Sequence, residues 1–297
     1  MYESIAPRIR KILEYSSLHG LEEIRLRANQ PLTVKTRAGY IFLDERGTAT
    51  TLERAYRVSP DDLARTVQIL TNSSWYAWEE ELRSGYLTIP GGHRVGFCGR
   101  AVLEGGRVKT IHSVSSLSIR VARQIKGAAD TVIGHVCPGM GKIRSTLIIS
   151  PPGCGKTTLL RDLARQIAGS GFQVVIVDER SEIAACHRGI PQLDVGPQTD
   201  VLDGYPKAEG IAVAVRALSP QVVVTDEIGH PNDSVSLAEL ARSGVAVIAS
   251  CHGQDINQVR ARRWTAEGLG VFELAVVLSR RKGPGTIEQV LSLAKRT

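Results

Sequence analysis

Thr146-Leu147-Ile148-Ile149-Ser150-Pro151-Pro152-Gly153-Cys154-Gly155-Lys156-Thr157-Thr158 is the stretch that decides the fold of this 297-residue chain. Its first four residues read as a short buried strand, a glycine loop follows at once, and Gly-Lys-Thr opens a helix expected over residues 157–168. Strand, glycine loop and helix in that order are the context in which the motif GxxxxGK[ST] means a phosphate-binding loop. Small residues let backbone N–H groups approach phosphate oxygens, and a helix N-terminus adds partial positive charge. Lys156 would bring a point charge to the β- and γ-phosphates, and the Thr157 hydroxyl would sit on Mg²⁺. The loop from Ser150 to Thr158 is therefore expected to hold a nucleoside triphosphate. Ser150 stands where the motif has its first glycine, and serine still takes a tight turn, which predicts a small adjustment.

Downstream, Val174-Val175-Ile176-Val177, Val222-Val223-Val224 and Ala246-Val247-Ile248-Ala249 are continuous apolar runs, as expected of parallel strands buried on both faces. Each is followed by polar chemistry. Asp226-Glu227 after the second run places two carboxylates at a strand end. There Asp226 would enter the Mg²⁺ shell through water and Glu227 would polarise an attacking water. Asp178-Glu179-Arg180-Ser181-Glu182 after the first run clusters carboxylates that repel one another unless a metal or arginine neutralises them, which suggests a site. Ser250-Cys251-His252-Gly253 after the third places a polar group where it can touch a γ-phosphate. Residues 272–279 and 286–293 flank Gly283-Pro284-Gly285 and read as a terminal hairpin.

Upstream the texture differs. Residues 5–15 read as a basic amphipathic helix, 23–27, 31–36 and 40–44 as strands, and Ser59-Pro60-Asp61-Asp62 as a helix start. Gly91-Gly92 and Gly105-Gly106 bracket a strand over residues 93–100. The fold class is thus α/β: a smaller α+β N-terminal domain over residues 1–127, then a P-loop domain with a mostly parallel sheet over residues 128–297.

The net charge of +7 favours acidic partners, although no dense basic block stands out. An aromatic share of 5% argues against single-stranded nucleic acid held on a stacking platform. The five cysteines are widely spaced without a CxxC pair, which points to a reducing compartment rather than a zinc cluster. No run approaches the roughly 18 apolar residues of a membrane helix, and the N-terminus lacks a signal pattern. A cytoplasmic chain is expected, one still able to dock on a membrane complex.

The order of P-loop, acidic box, Asp226-Glu227 strand and His252 box resembles the secretion ATPases of type II, type IV and pilus-retraction systems. Ala214-Val215-Arg216-Ala217-Leu218-Ser219-Pro220-Gln221 is similar to that family's arginine-to-proline lead-in, and Ile24-Arg25-Leu26-Arg27 with Pro31-Leu32 to its N-terminal domain. Nearly the whole chain resembles the stage III sporulation AA family. The residues that carry this are Gly96-Phe97-Cys98-Gly99-Arg100, Val177-Asp178-Glu179-Arg180-Ser181-Glu182 and Thr225-Asp226-Glu227-Ile228-Gly229.

The resemblance implies a RecA-like ATP hydrolase using ATP and Mg²⁺. It implies a homohexameric ring with nucleotide between neighbouring subunits, on the mother-cell side of a channel joining mother cell and forespore. Its partners would be further copies of itself and membrane proteins of that channel. By the same resemblance Lys156 and Thr157 bind phosphate and magnesium, Glu182 is the acidic-box glutamate, Glu227 the Walker B glutamate and His252 the His-box residue. Arg94 and Arg120 match N-domain arginines that face nucleotide, with Arg100 and Arg123 close by. Asp226 replaces the glycine usual in secretion ATPases and Gly229-His230 their arginine-aspartate pair, so either Glu227 or Glu182 could orient the water. A nucleic-acid-dependent P-loop motor or binding ATPase is the alternative, and a small-molecule kinase a further one. A motor would show DNA-stimulated, salt-sensitive activity, and a kinase an arginine-rich lid.

Overall fold

A computed structural model describes the chain except at residues 75–77, 79–80, 82, 84, 140, 263–267 and 294–297, with residue 107 described by its backbone alone. It divides into two compact units, Met1–Arg123 and Gln124–Thr297.

The first unit opens with helix α1 (Pro7–Tyr15), which begins two residues later than residue 5 because Pro7 takes the first helical position. Strands β1 (Glu23–Arg27), β2 (Thr33–Thr36), β3 (Gly39–Leu43) and β4 (Ala49–Thr50) follow. Helix α2 (Pro60–Leu70) starts at a capping box: Asp62 N–H donates to Ser59 Oγ, and Ser59 N–H donates to the Asp62 carboxylate. Strands β5 (Tyr86–Ile89), β6 (His93–Glu104) and β7 (Arg107–Arg120) complete an antiparallel sheet in the order β4-β3-β2-β1-β7-β6-β5. Alternate residues face one core. Ile24 and Leu26 of β1, Val95 and Phe97 of β6, and Leu117 and Ile119 of β7 pack with Ile9 and Leu13 of α1 and Leu63 of α2. The other face of these strands carries Arg25, Arg27, Arg94 and Arg120, a consequence of the two-residue side-chain period.

The second unit begins with the short helix α3 (Ile133–Val136), then β8 (Thr146–Ser150), α4 (Lys156–Gly169), β9 (Val174–Asp178) and β10 (Thr199–Asp203). Next come α5 (Lys207–Val213), a π-helical turn (Ala214–Leu218), β11 (Val222–Thr225), α6 (Pro231–Arg242), β12 (Ala246–His252) and α7 (Ile256–Arg260). The hairpin β13 (Leu274–Ser279) and β14 (Thr286–Ser292) ends the unit. The sheet order is β10-β9-β11-β12-β8-β13-β14, parallel throughout except for antiparallel β14.

The apolar runs are continuous because both faces are covered. Ile148, Ile176, Val224 and Ile248 join one core with Leu160 and Leu163 of α4, while Ile149, Val177, Val223 and Val247 join another with Leu237 and Leu240 of α6. β10, Thr-Asp-Val-Leu-Asp, is an edge strand with none of its residues buried; its sequence carries neither an apolar run nor a strong alternation, so it was not legible beforehand. Adjacent parallel strands open a crevice outside their carboxyl ends, where ligands bind in open α/β sheets.

Candidate nucleotide-binding site

The glycine loop leaves β8 at that crevice. Ser150 is fully buried in the strand, pairs with His252 across the β8–β12 ladder and turns its hydroxyl to the Pro151 carbonyl at 2.8 Å. It is not among the positive-φ residues, so the departure from glycine brings no backbone strain. Gly155 is different: its φ of 91° lies in the left-handed region, and a methyl group built on it would stand 3.1 Å from the Gly285 nitrogen. Gly155 is also the N-cap of α4 and lends no side chain to it, so no side chain at that position caps the first-turn N–H groups of the helix. Such a terminus is suited to an anion.

Lys156 is 6% exposed, and its ammonium donates to the Ser150 and Pro151 carbonyls, both at 3.3 Å. It also lies 3.1 Å from His252 Nδ1. An ammonium only donates, so Nδ1 accepts, and the neutral tautomer with hydrogen on Nε2 donates to Glu227 Oε1 at 3.1 Å. The other Glu227 oxygen takes Arg180 Nη1 at 2.6 Å. A continuous polar line thus runs Lys156, His252, Glu227, Arg180. Burial pulls the Lys156 ammonium below its usual range, with Glu227 the first of the groups pulling it back.

Glu227 has a φ of 43°, a conformation that costs a non-glycine residue on the order of 1–3 kcal/mol. Two neighbours hold it there. Its N–H donates to Ser250 Oγ at 3.1 Å, and Lys207 Nζ donates to its carbonyl at 3.2 Å. Ser250 sits in the quoted His box. Lys207 and Arg180 were missed as site residues: Arg180 was visible inside the acidic box, but nothing in the spacing of Lys207 pointed here.

Asp226 is 3% exposed, and its Oδ2 is buried without a hydrogen-bond partner. Burial first, then the nearby Asp178, Glu182 and Glu227 carboxylates, push its carboxyl up to about 7, against Lys207. An orphaned, desolvated carboxylate oxygen beside other acids fits a divalent cation, and the Thr157 hydroxyl in the first turn of α4 is the oxygen donor that would share it. Between the unfolded carboxylate range and about 7 the folded state binds the extra proton, so metal-free stability falls as pH rises through that window. Asp226→Asn is expected to flatten this loss, worth on the order of a few kcal/mol. Urea unfolding in EDTA at pH 5 and pH 8 checks it, and an unchanged pH slope in the variant would contradict it.

The acidic box divides its labour. Asp178 is fully buried and accepts the N–H groups of Glu182, Ile183 and Ala184 at 2.8, 3.0 and 2.9 Å, so it shapes the turn rather than forming an open carboxylate cluster. Glu179 lies 3.8 Å from Lys207, and the Glu182 carbonyl takes Arg161 Nη2 at 2.8 Å. Lys207 faces the Glu179 charge, backbone amides take up Asp178, and Arg161 adds a favourable charge toward Asp178 while bracing the turn through backbone carbonyls. In the first unit, Arg94 and Arg120 occupy directly paired positions on β6 and β7, with the Arg94 guanidinium 4.2 Å from the centroid of the Tyr86 ring. The fold of each unit therefore gathers its own candidates: Lys156, Thr157, Asp226, Glu227, Glu182 and His252 in one, Arg94 and Arg120 in the other.

A sequence model of the family described as "Sporulation stage III, protein AA" matches residues 1–295. The chain belongs to that family. It is 41% identical over 299 residues to Stage III sporulation protein AA of Bacillus subtilis (strain 168), an alignment covering 97% of this chain and 92% of that protein. Among solved structures it is similar to the pilus retraction motor PilT with bound ADP, at a TM-score of 0.62 and 15% identity over 97% of this chain and 82% of that one. The ATPase DotB of Legionella pneumophila matches at a TM-score of 0.56 and 14% identity, over 91% of this chain and 74% of that one. At such identities the likeness speaks for the fold alone, which is RecA-like. No helix among the described residues is long and apolar enough to cross a membrane.

Proposed function

We propose that this sporulation-family chain is a Mg²⁺-dependent ATPase of the secretion type. It works as a homohexameric ring in the cytoplasm on the mother-cell side and powers assembly of, or transport through, the channel between mother cell and forespore. One observation carries the reading: the line Lys156–His252–Glu227 runs beside the partnerless Asp226 oxygen at the mouth of a glycine loop.

In this reading the Lys156 ammonium exchanges two carbonyls and an imidazole for phosphate oxygens, a stronger charge-assisted set. The N–H groups at the start of α4 orient the phosphate chain. Thr157 and Asp226 would hold the divalent ion, which would supply positive charge for the transferred phosphoryl group. Glu227 accepts a proton from the attacking water, and His252, bonded to both Glu227 and Lys156, senses loss of the phosphate and transmits it. Arg94 and Arg120 are proposed as nucleotide ligands within the ring.

Phosphate release by the purified chain tests this from nanomolar to micromolar protein, with mass followed by light scattering. Specific activity is expected to rise as rings assemble and to vanish in EDTA. Flat activity from a monomer would remove the ring, and no turnover at any concentration would remove the enzyme. Strong stimulation by DNA, lost as salt rises, would favour the nucleic-acid motor instead.

A further inference from the structure

A basic turn lies against the phosphate loop, with no part in the chemistry above. Arg280-Arg281-Lys282-Gly283-Pro284-Gly285 joins β13 to β14. β13 runs parallel to β8 with Val277 opposite Ile149, so the chain beyond Ser279 emerges at the same end of the sheet as the loop. Gly285 N–H donates to the Cys154 carbonyl at 2.9 Å, which fastens the turn to the loop.

The charges of this turn are not equivalent. Arg281 is committed to Glu288, with Nε and Nη2 at 3.0 and 3.1 Å from its two carboxylate oxygens. Arg280 is exposed, and no carboxylate pairs with it among the described residues. Its Nη1 stands 3.6 Å from a methyl group built on Gly153, a residue of the loop itself whose φ is 70°. The guanidinium therefore lies within van der Waals reach of the loop at Gly153.

We propose that Arg280 is a phosphate-binding residue of this same site, supplied by the subunit that carries the loop; the proposal rests on the nucleotide reading. Its planar fork of donors suits phosphate oxygens, and unlike Arg281 it surrenders no ion pair on binding them. Without ligand, two cations, Arg280 and Lys156, flank one loop. A polyphosphate can engage both charges and a monophosphate only one, so the site gains selectivity for highly charged nucleotides over monophosphates.

The test is equilibrium binding of fluorescent ATP, ADP and AMP analogues to the full chain, with Mg²⁺ and again in EDTA. Wild type is compared with Arg280→Ala, Arg280→Lys, Arg281→Ala and Lys156→Ala. Arg280→Ala is expected to raise the Kd for the ATP and ADP analogues by roughly 10- to 100-fold, the scale of losing a hydrogen-bonded charge. Arg280→Lys should fall between, AMP should change least, and Arg281→Ala, which removes the same net charge, should stay within about twofold. Arg280→Ala binding ATP like wild type, or Arg281→Ala losing as much, would overturn the assignment. If Lys156→Ala abolishes binding while Arg280→Ala leaves it intact, Arg280 alone is wrong. If wild type binds no nucleotide, the site reading falls with it.

Discussion

Replacing Lys156 by alanine is expected to lower ATP turnover by at least about 10²-fold, the scale of removing one preorganised electrostatic group from an enclosed site. The ammonium is buried and already desolvated, so its charge acts at short range with little screening. Alanine suits the first turn of α4 by propensity, so the helix should remain. Loss of a desolvated cation also removes a cost of folding, and the variant should melt no lower than wild type. Phosphate release together with a thermal melt by circular dichroism checks both halves. Near-normal turnover from a folded variant would contradict the role given to Lys156.

Glu227→Gln is expected to lower kcat by about 10²- to 10⁴-fold, the usual worth of a positioned general base, while nucleotide affinity is kept. The geometry favours Glu227 over Glu182. Glu227 is held in a left-handed conformation by Ser250 and Lys207, with both carboxylate oxygens engaged by exchangeable partners, His252 and Arg180. Strain persists where surrounding contacts over-determine it, as at sites that must aim a side chain. Glu182→Gln should therefore cost less than about tenfold in kcat. The opposite ranking in single-turnover assays would transfer the base to Glu182.

The core of the second unit was legible because its strands are short β-branched runs, each ending in a chemically distinctive residue pair or box. Parallel strands bring their carboxyl ends to one edge of the sheet, and the observed order β11-β12-β8 sets the P-loop, Asp226-Glu227 and His252 side by side there. The helix start at Ser59-Pro60 was equally plain, since its signals are local. Contacts that depend on long-range packing were not. Asp178 looked like one acid among three, yet it closes a turn through backbone donors that no spacing rule reveals. Lys207 reaches Glu227 only because α5 begins beside the end of β11. β10 escaped because an unburied edge strand needs no apolar pattern.

The most direct measurement is a crystal structure of the chain with Mg²⁺ and a non-hydrolysable ATP analogue. The account predicts phosphates seated on the amides from Gly153 to Thr158, Lys156 released from His252 to bind them, and the metal ion shared by Thr157 and Asp226. Lys156 still bonded to His252, with nucleotide bound elsewhere or nowhere, would contradict it.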